Sequence, residues 1–197
     1  MVRVASTLPR YDYGSVVSGD GRMAERSHPT HCIHGRMMVD AECKLAALVY
    51  GHGEDPDSVL SGFAARLSQQ GNRVVGLIQL GHYDFNTPQL YATLLPGGET
   101  LKLFRDLGVL TRGGRLNPDM LMYARGQLAE AMRDGADLLI LNRFGRLECD
   151  GEGLSHIIRQ AVDANIPTVV AVSERRLPKW LKFAGETCLR LPCDGSA

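Results

Sequence analysis

Arg143, Arg146 and Glu148 stand close together in Asn142-Arg-Phe-Gly-Arg-Leu-Glu148, directly after the apolar run Leu138-Leu-Ile-Leu141. Two guanidinium forks can hold an anion through paired N–H donors, and a neighbouring carboxylate can orient a water for attack on it. Glu148 is therefore the candidate catalytic residue, and Arg143, Gly145 and Arg146 are candidate ligand-binding residues. Asn142, a further candidate, sits where a nucleotide-hydrolysing protein would hold a magnesium-binding Asp. A neutral amide brings no charge to a hard cation, which weakens a metal role there.

A second polar turn, Gly51-His-Gly-Glu-Asp-Pro-Asp-Ser58, follows the apolar segment Leu45-Ala-Ala-Leu-Val-Tyr50. Gly51, His52, Gly53 and Ser58 are candidates for lining an anion or nucleotide site, since glycine turns let backbone N–H groups converge on phosphate. The turn has the position of a phosphate-binding loop but lacks its Gly-Lys-Ser/Thr ending. Glu54, Asp55 and Asp57 place negative charge where a polyphosphate needs positive, and like charges repel. The same acids suit the positive end of a helix dipole, so a solvated helix start explains them as well.

Arg112 and Arg115 flank Gly113-Gly114 and form a third candidate element. Guanidinium forks and exposed N–H groups could cradle a tetrahedral anion such as molybdate, or a nucleotide phosphate, equally well. A mobile basic loop is the competing reading, and Lys102 could add to the positive patch.

Other reactive side chains form no recognisable site. His28, His31, Cys32, His34 and Cys43 do not have the spacing of a zinc site, so no metal is expected. Ser58, Ser155 and Ser173 lack the sharp strand-to-helix context of a serine nucleophile. Acid beside Cys149 disfavours its thiolate. Trp180, the single Trp, reads as a packing anchor in the amphipathic stretch Leu177 to Phe183.

The elements that must position these residues alternate between strand and helix periodicity. Strands are expected at 44–50, 73–79, 137–142, 166–172 and 187–191, with helices over 56–70, 118–134, 151–164 and 177–183. Pro56 suits a first helical turn and Gly71 a stop, while Asn117 and Pro118 form an N-cap followed by its first helical residue. Between the units, runs at 90–95 and 100–104 flank Pro96-Gly97-Gly98 and predict a β-hairpin. Buried parallel strands surface at their carboxyl ends, where open α/β folds place ligands. Both the Gly51 and the Asn142 turns fall there.

With 197 residues and 44% hydrophobic content, the chain can build one sizeable core, expected over residues 41–197. Residues 1–40 lack periodicity and read as a poorly ordered leader. Twenty-two acids balance 22 bases, so no global field attracts nucleic acid or a membrane surface. No apolar run is long enough to span a bilayer, and no secretory signal pattern opens the chain. A cytoplasmic location with free thiols follows from five irregularly spaced cysteines.

Leu-Ala-Ala-Leu-Val-Tyr before a degenerate glycine turn, Val-Val-Gly-Leu-Ile-Gln, Gly-Gly-Arg-Leu-Asn-Pro, Asp-Leu-Leu-Ile-Leu-Asn-Arg-Phe-Gly-Arg-Leu-Glu with Gly151-Glu-Gly153, and Ile-Pro-Thr-Val-Val-Ala-Val together resemble the bacterial DUF2478 family. The resemblance covers about residues 44–192 and implies a relation to P-loop nucleoside triphosphatases of the THEP1 type. It implies a three-layer α/β/α sandwich with a mainly parallel sheet of about five strands and an inserted hairpin. It also implies a link to molybdate or molybdenum-enzyme metabolism, with a protein partner there. The expected function is binding of a small anion or nucleotide, with magnesium or as molybdate, and with weak or no hydrolysis. Two alternatives stand beside it. One is a phosphohydrolase in which Arg143 or Arg146 replaces the missing Lys and Glu148 positions water; the other is a scaffold docking through the Pro96 hairpin. Self-association into a homo-oligomer is compatible with each.

Overall fold

A computed structural model describes residues 44–80, 90–105, 115–185 and 188–193. The leader over 1–40, with its His and Cys residues, and Arg112-Gly113-Gly114 lie outside the described residues. The first unit is strand β1 (Leu45–Tyr50), helix α1 (Pro56–Gln69) and strand β2 (Val74–Leu80). Asp55 caps α1, with Pro56 at its first position, and Gly71 adopts a φ of 85° just beyond the helix end. That conformation is cheap for Gly and strained for other residues.

Strands β3 (Tyr91–Leu95) and β4 (Thr100–Lys102) form the expected hairpin, followed by the short antiparallel pair β5 (Phe104–Arg105) and β6 (Arg115–Leu116). Helix α2 (Pro118–Arg133) starts from Asn117, whose side chain accepts the Asp119 N–H. Strand β7 (Leu138–Leu141) follows, then helices α3 (Arg146–Cys149) and α4 (Ser155–Asp163). Strand β8 (Thr168–Ser173), a 3-10 turn at Glu174–Arg176, helix α5 (Leu177–Ala184) and strand β9 (Leu189–Pro192) complete the described chain.

One seven-stranded sheet runs in the order β4-β3-β2-β7-β8-β1-β9. The five strands from β2 to β9 in that order are parallel, and the hairpin joins antiparallel to β2 at one edge. The hairpin is thus an extension of the main sheet. Adjacent strands pack so closely at Gly76 that a Cβ there would lie 2.4 Å from the Ile140 carbonyl oxygen.

Alternation along the parallel strands creates two apolar faces. Ala46, Leu48, Val74, Ile78, Ile140 and Ala171 pack with Leu60 and Ala64 of α1. Ala47, Val75, Leu77, Leu139, Leu141, Val170 and Val172 pack on the other side with residues of α2, α4 and α5, including Leu128, Ile158 and Trp180. The sheet is therefore the middle layer of an α/β/α arrangement. Trp180 is fully buried and meets Phe144 edge-on, with ring centroids 5.0 Å apart. Such a pair contributes about 0.5–1.5 kcal/mol beyond area burial, which fixes α5 against the segment that leaves β7.

Candidate functional site

All parallel strands of the sheet point their carboxyl ends the same way, so the segments following β1, β7 and β8 share one edge. After β1, several backbone donors of the turn are taken by its own acids. Gly51 N–H donates to Glu54. Asp55 Oδ1 accepts the N–H groups of Asp57 and Ser58 at 3.1 and 3.2 Å, and its Oδ2 accepts the Ser58 hydroxyl at 2.6 Å. The Glu174 carboxylate closes in from β8, since a Cβ on Gly51 would lie 3.3 Å from its Oε2. Carboxylates thus occupy the N–H groups of Gly51, Asp57 and Ser58 and the Ser58 hydroxyl, donors that a phosphate would use.

Asp57 faces the turn after β7. Arg143 Nη2 donates to both Asp57 oxygens at 3.0 Å, and Arg143 Nε donates to Asn142 Oδ1 at 3.2 Å. Asn142 Nδ2 also donates to Asp57. The Arg143 guanidinium lies over the Tyr50 ring, 5.3 Å from its centroid. This cluster at the ends of β1 and β7 and the start of α1 pairs Arg143 with Asp57, and such charge-assisted hydrogen bonds are roughly twice as strong as neutral ones.

Glu148 is buried, and both of its oxygens are engaged by backbone. Oε2 accepts the Gly145 N–H and Oε1 the Leu154 N–H, each at 2.9 Å. The carboxylate therefore ties the start of α3 to the start of α4. Gly153 makes room for it: its φ is 58°, and a Cβ there would fall 2.2 Å from Glu148 Oε1. The helix expected over 151–164 begins only at Ser155, with Gly151 and Gly153 both at positive φ before it, and the separate short helix α3 occupies 146–149, where a loop was expected.

Arg146 points elsewhere. With Cys149, Asp150, Arg175, Arg176 and Lys179 it lines an open cleft of about 440 Å³ between α3, the 3-10 turn after β8, and α5. Four cationic side chains there face one carboxylate. Among the described residues, none of the four cations forms an ion pair; the pairs found are Arg73 with Asp134 and Arg143 with Asp57. A second groove of about 560 Å³, largely apolar, lies between α2 and the α3–α4 turn, lined by Leu116, Leu121, Met122, Leu147 and His156 among others. Among the described residues no group of three His, Cys, Asp or Glu could hold a metal ion. No described helix is long and apolar enough to cross a membrane.

A family model, DUF2478, described as a protein of unknown function, matches residues 45–197. This chain belongs to the DUF2478 family. The DUF2478 match spans all the described elements, from β1 to β9. Over 153 residues the chain is 29% identical to the Molybdenum import ATP-binding protein ModC 2 of Bradyrhizobium diazoefficiens. That match covers 77% of this chain and 17% of the relative, so the chain spans about a sixth of the relative's length. The parallel α/β sheet with its helices on both faces fits a P-loop-like fold. No solved structure matches.

The strand ends of the sequence placed the Gly51 and Asn142 turns at one ligand-bearing edge of the sheet, and the structure divides the candidate residues among separate clusters there. Gly51, Ser58, Asn142 and Arg143 belong to the self-satisfied cluster around Asp55 and Asp57, with exposed His52 and Gly53 at the tip of the same turn. Gly145 and Glu148 belong to the α3 cap. Arg115 lies in β6, opposite Arg105. Arg146 alone among them lines the basic cleft, beside Arg175, Arg176 and Lys179, which sequence reading missed. The available signal was positional: Glu-Arg-Arg follows the buried strand Thr168–Ser173 just as Asn-Arg follows Leu138–Leu141.

Proposed function

We propose that this protein binds small oxyanions, as free tetrahedral anions or as the phosphates of a nucleotide, in the cleft between α3 and the β8–α5 turn, and that it hydrolyses triphosphates weakly or not at all. The observation that carries the reading is the gathering of Arg146, Arg175, Arg176 and Lys179 at the sheet's carboxyl edge, against the single acid Asp150. Guanidinium groups match the geometry of tetrahedral oxyanions through paired donors. Hydrolysis is disfavoured for two reasons. The Gly51–Ser58 turn has no Lys and the donors of Gly51, Asp57 and Ser58 are held by carboxylates, whereas phosphoryl transfer depends on stabilising charge as it develops. Glu148, the candidate for water activation, has both oxygens engaged by backbone N–H groups.

The similarity to a molybdenum import ATP-binding protein favours a second reading of the same site. In it the anion is molybdate or tungstate, and the protein works in the cytoplasm beside a partner of molybdenum-enzyme metabolism.

Thermal denaturation of the wild type and of the double variant Arg175→Ala/Arg176→Ala, with phosphate, sulfate, molybdate, ADP or ATP and with or without magnesium, tests the proposal. A ligand at hundredfold excess over its Kd stabilises the native state by about 2.7 kcal/mol. Stabilisation of the wild type that is absent in the double variant is the expected result. No stabilisation by any anion, or magnesium-dependent turnover abolished by Glu148→Gln, overturns the reading.

A further inference from the structure

We infer that the basic cleft is matched to a run of two or more linked phosphates rather than to one tetrahedral anion, and that it grips the phosphates without stacking on a base. The inference rests on the anion-binding reading above and names its ligand class.

Charge is the first argument. Among the described residues, three guanidinium groups and one ammonium against one carboxylate leave three positive charges in excess. One phosphate dianion leaves part of that excess unmatched, while a diphosphate or triphosphate brings charge enough to match it. The cations are also spread over different elements: Arg146 opens α3, Arg175 and Arg176 lie in the 3-10 turn, and Lys179 is on α5. No single tetrahedral group has to satisfy them all if the ligand extends along the cleft.

Size points the same way. At ~30 Å³ for each water-sized unit, a tetrahedral anion with four oxygens occupies roughly 100 Å³. The cleft offers about 440 Å³, which leaves room for linked groups. Among the described residues its lining includes no aromatic ring. The rings closest in sequence, Trp180 and Phe183, pack against Phe144 and one another in edge-on and tilted contacts, and Trp180 is 0% exposed. A base therefore finds no aromatic face to stack on, and base–aromatic stacking is what gives a nucleobase its sequence-tolerant affinity in open grooves; the guanidinium planes that could stack on a base instead are drawn to the phosphates. A nucleotide tail and inorganic polyphosphate share the chemistry that remains.

Calorimetric titration of the full chain, without magnesium and at constant ionic strength, separates the sources: inorganic phosphate, molybdate, pyrophosphate, tripolyphosphate, ATP and adenosine. Tripolyphosphate should bind at least about tenfold more tightly than phosphate or molybdate, the effect of adding charge-assisted contacts. ATP should bind about as tightly as tripolyphosphate, and adenosine should give no heat of binding. Arg175→Ala/Arg176→Ala, at exposed or half-buried positions outside the core, should weaken tripolyphosphate and leave the melting temperature of the unliganded protein unchanged. Arg175→Lys/Arg176→Lys, which keeps charge but loses the fork, should fall between. Phosphate or molybdate binding as tightly as tripolyphosphate overturns the inference while the anion-binding reading stands. Binding of adenosine, or ATP binding far more tightly than tripolyphosphate, overturns the absence of base contact. No binding of any anion overturns both.

Discussion

Arg143 donates to both carboxylate oxygens of Asp57, at 3.0 Å each, across 86 residues of sequence. The contact ties the turn after β1 to the turn after β7, and Asn142 joins it by donating to the same carboxylate. A guanidinium at a strand's carboxyl end is thus satisfied by the protein's own acid. The charge left for a ligand lies one turn further on, where Arg146 faces Arg175 and Arg176.

Asp57→Ala removes the acceptor for two partners, leaving Arg143 and Asn142 without it beside a core position. Asp57 is 6% exposed, so solvent compensates little. The loss should be about 2–4 kcal/mol, because a deleted partner leaves the other charge unmatched, and Asp57→Asn should lose less. Urea denaturation reads this as a lower midpoint at unchanged slope. An Asp57→Ala protein as stable as wild type would show that the cluster contributes nothing.

Glu148→Gln tests the structural role of a residue expected to act on water. A Gln side chain keeps one oxygen for either Gly145 or Leu154 and sets an amide N–H against the other donor. Stability should fall by about 1–3 kcal/mol, the cost of an unsatisfied buried donor, with oxyanion affinity nearly unchanged. Denaturation and anion titration of the same sample check both halves.

Gly153→Ala should destabilise by about 1–3 kcal/mol, from a strained positive φ and from a Cβ directed at Glu148. Combining it with Glu148→Ala, which clears the space, should give less than the sum of the two losses. A double-mutant cycle measures that coupling; strict additivity would place the strain in the backbone alone.

The helix starts at Asp55-Pro56 and Asn117-Pro118, the five parallel strands and the hairpin around Pro96-Gly97-Gly98 were legible because each has a strong local cause: a cap, an apolar run or a turn residue. The division between α3 and α4 was not. It depends on Glu148 reaching backbone N–H groups on both sides of Gly151 and Gly153, and a turn of four residues is too short to show periodicity. The candidate site was legible as an edge of the sheet and not as a set of partners. Sequence spacing places Arg143 and Arg146 together, whereas the fold turns one toward Asp57 and the other toward α5. Arg175 and Arg176 escaped notice since a basic pair after a strand has no motif of its own.

Tyr123 on α2 donates its hydroxyl to Glu99 Oε2 at 3.0 Å, linking that helix to the hairpin. The hydrogen bond to Glu99 holds the phenol above its ordinary pKa, with burial and the charge of Glu99 acting in the same direction. A raised native pKa contributes stability that is fully present below the unfolded value and is lost as pH rises through the native one. Absorbance titration at alkaline pH should show Tyr123 ionising later in the wild type than in Glu99→Gln.

Oxyanion affinity should weaken steeply with added salt, because the cleft is open and a Debye length near 10 Å at about 0.1 M screens exposed charges. The wild-type dependence should exceed that of Arg175→Ala/Arg176→Ala. Equal slopes would locate the bound anion elsewhere.

Backbone amide shifts recorded by nuclear magnetic resonance during titration with tripolyphosphate test the central claim most directly. The account predicts that Arg146, Cys149, Asp150, Arg175 and Arg176 move together with one saturating curve, while Gly51, Gly53 and Ser58 stay in place. Saturating shifts confined to Gly51 through Ser58 would contradict it, and would show that phosphate displaces the acids of the β1 turn.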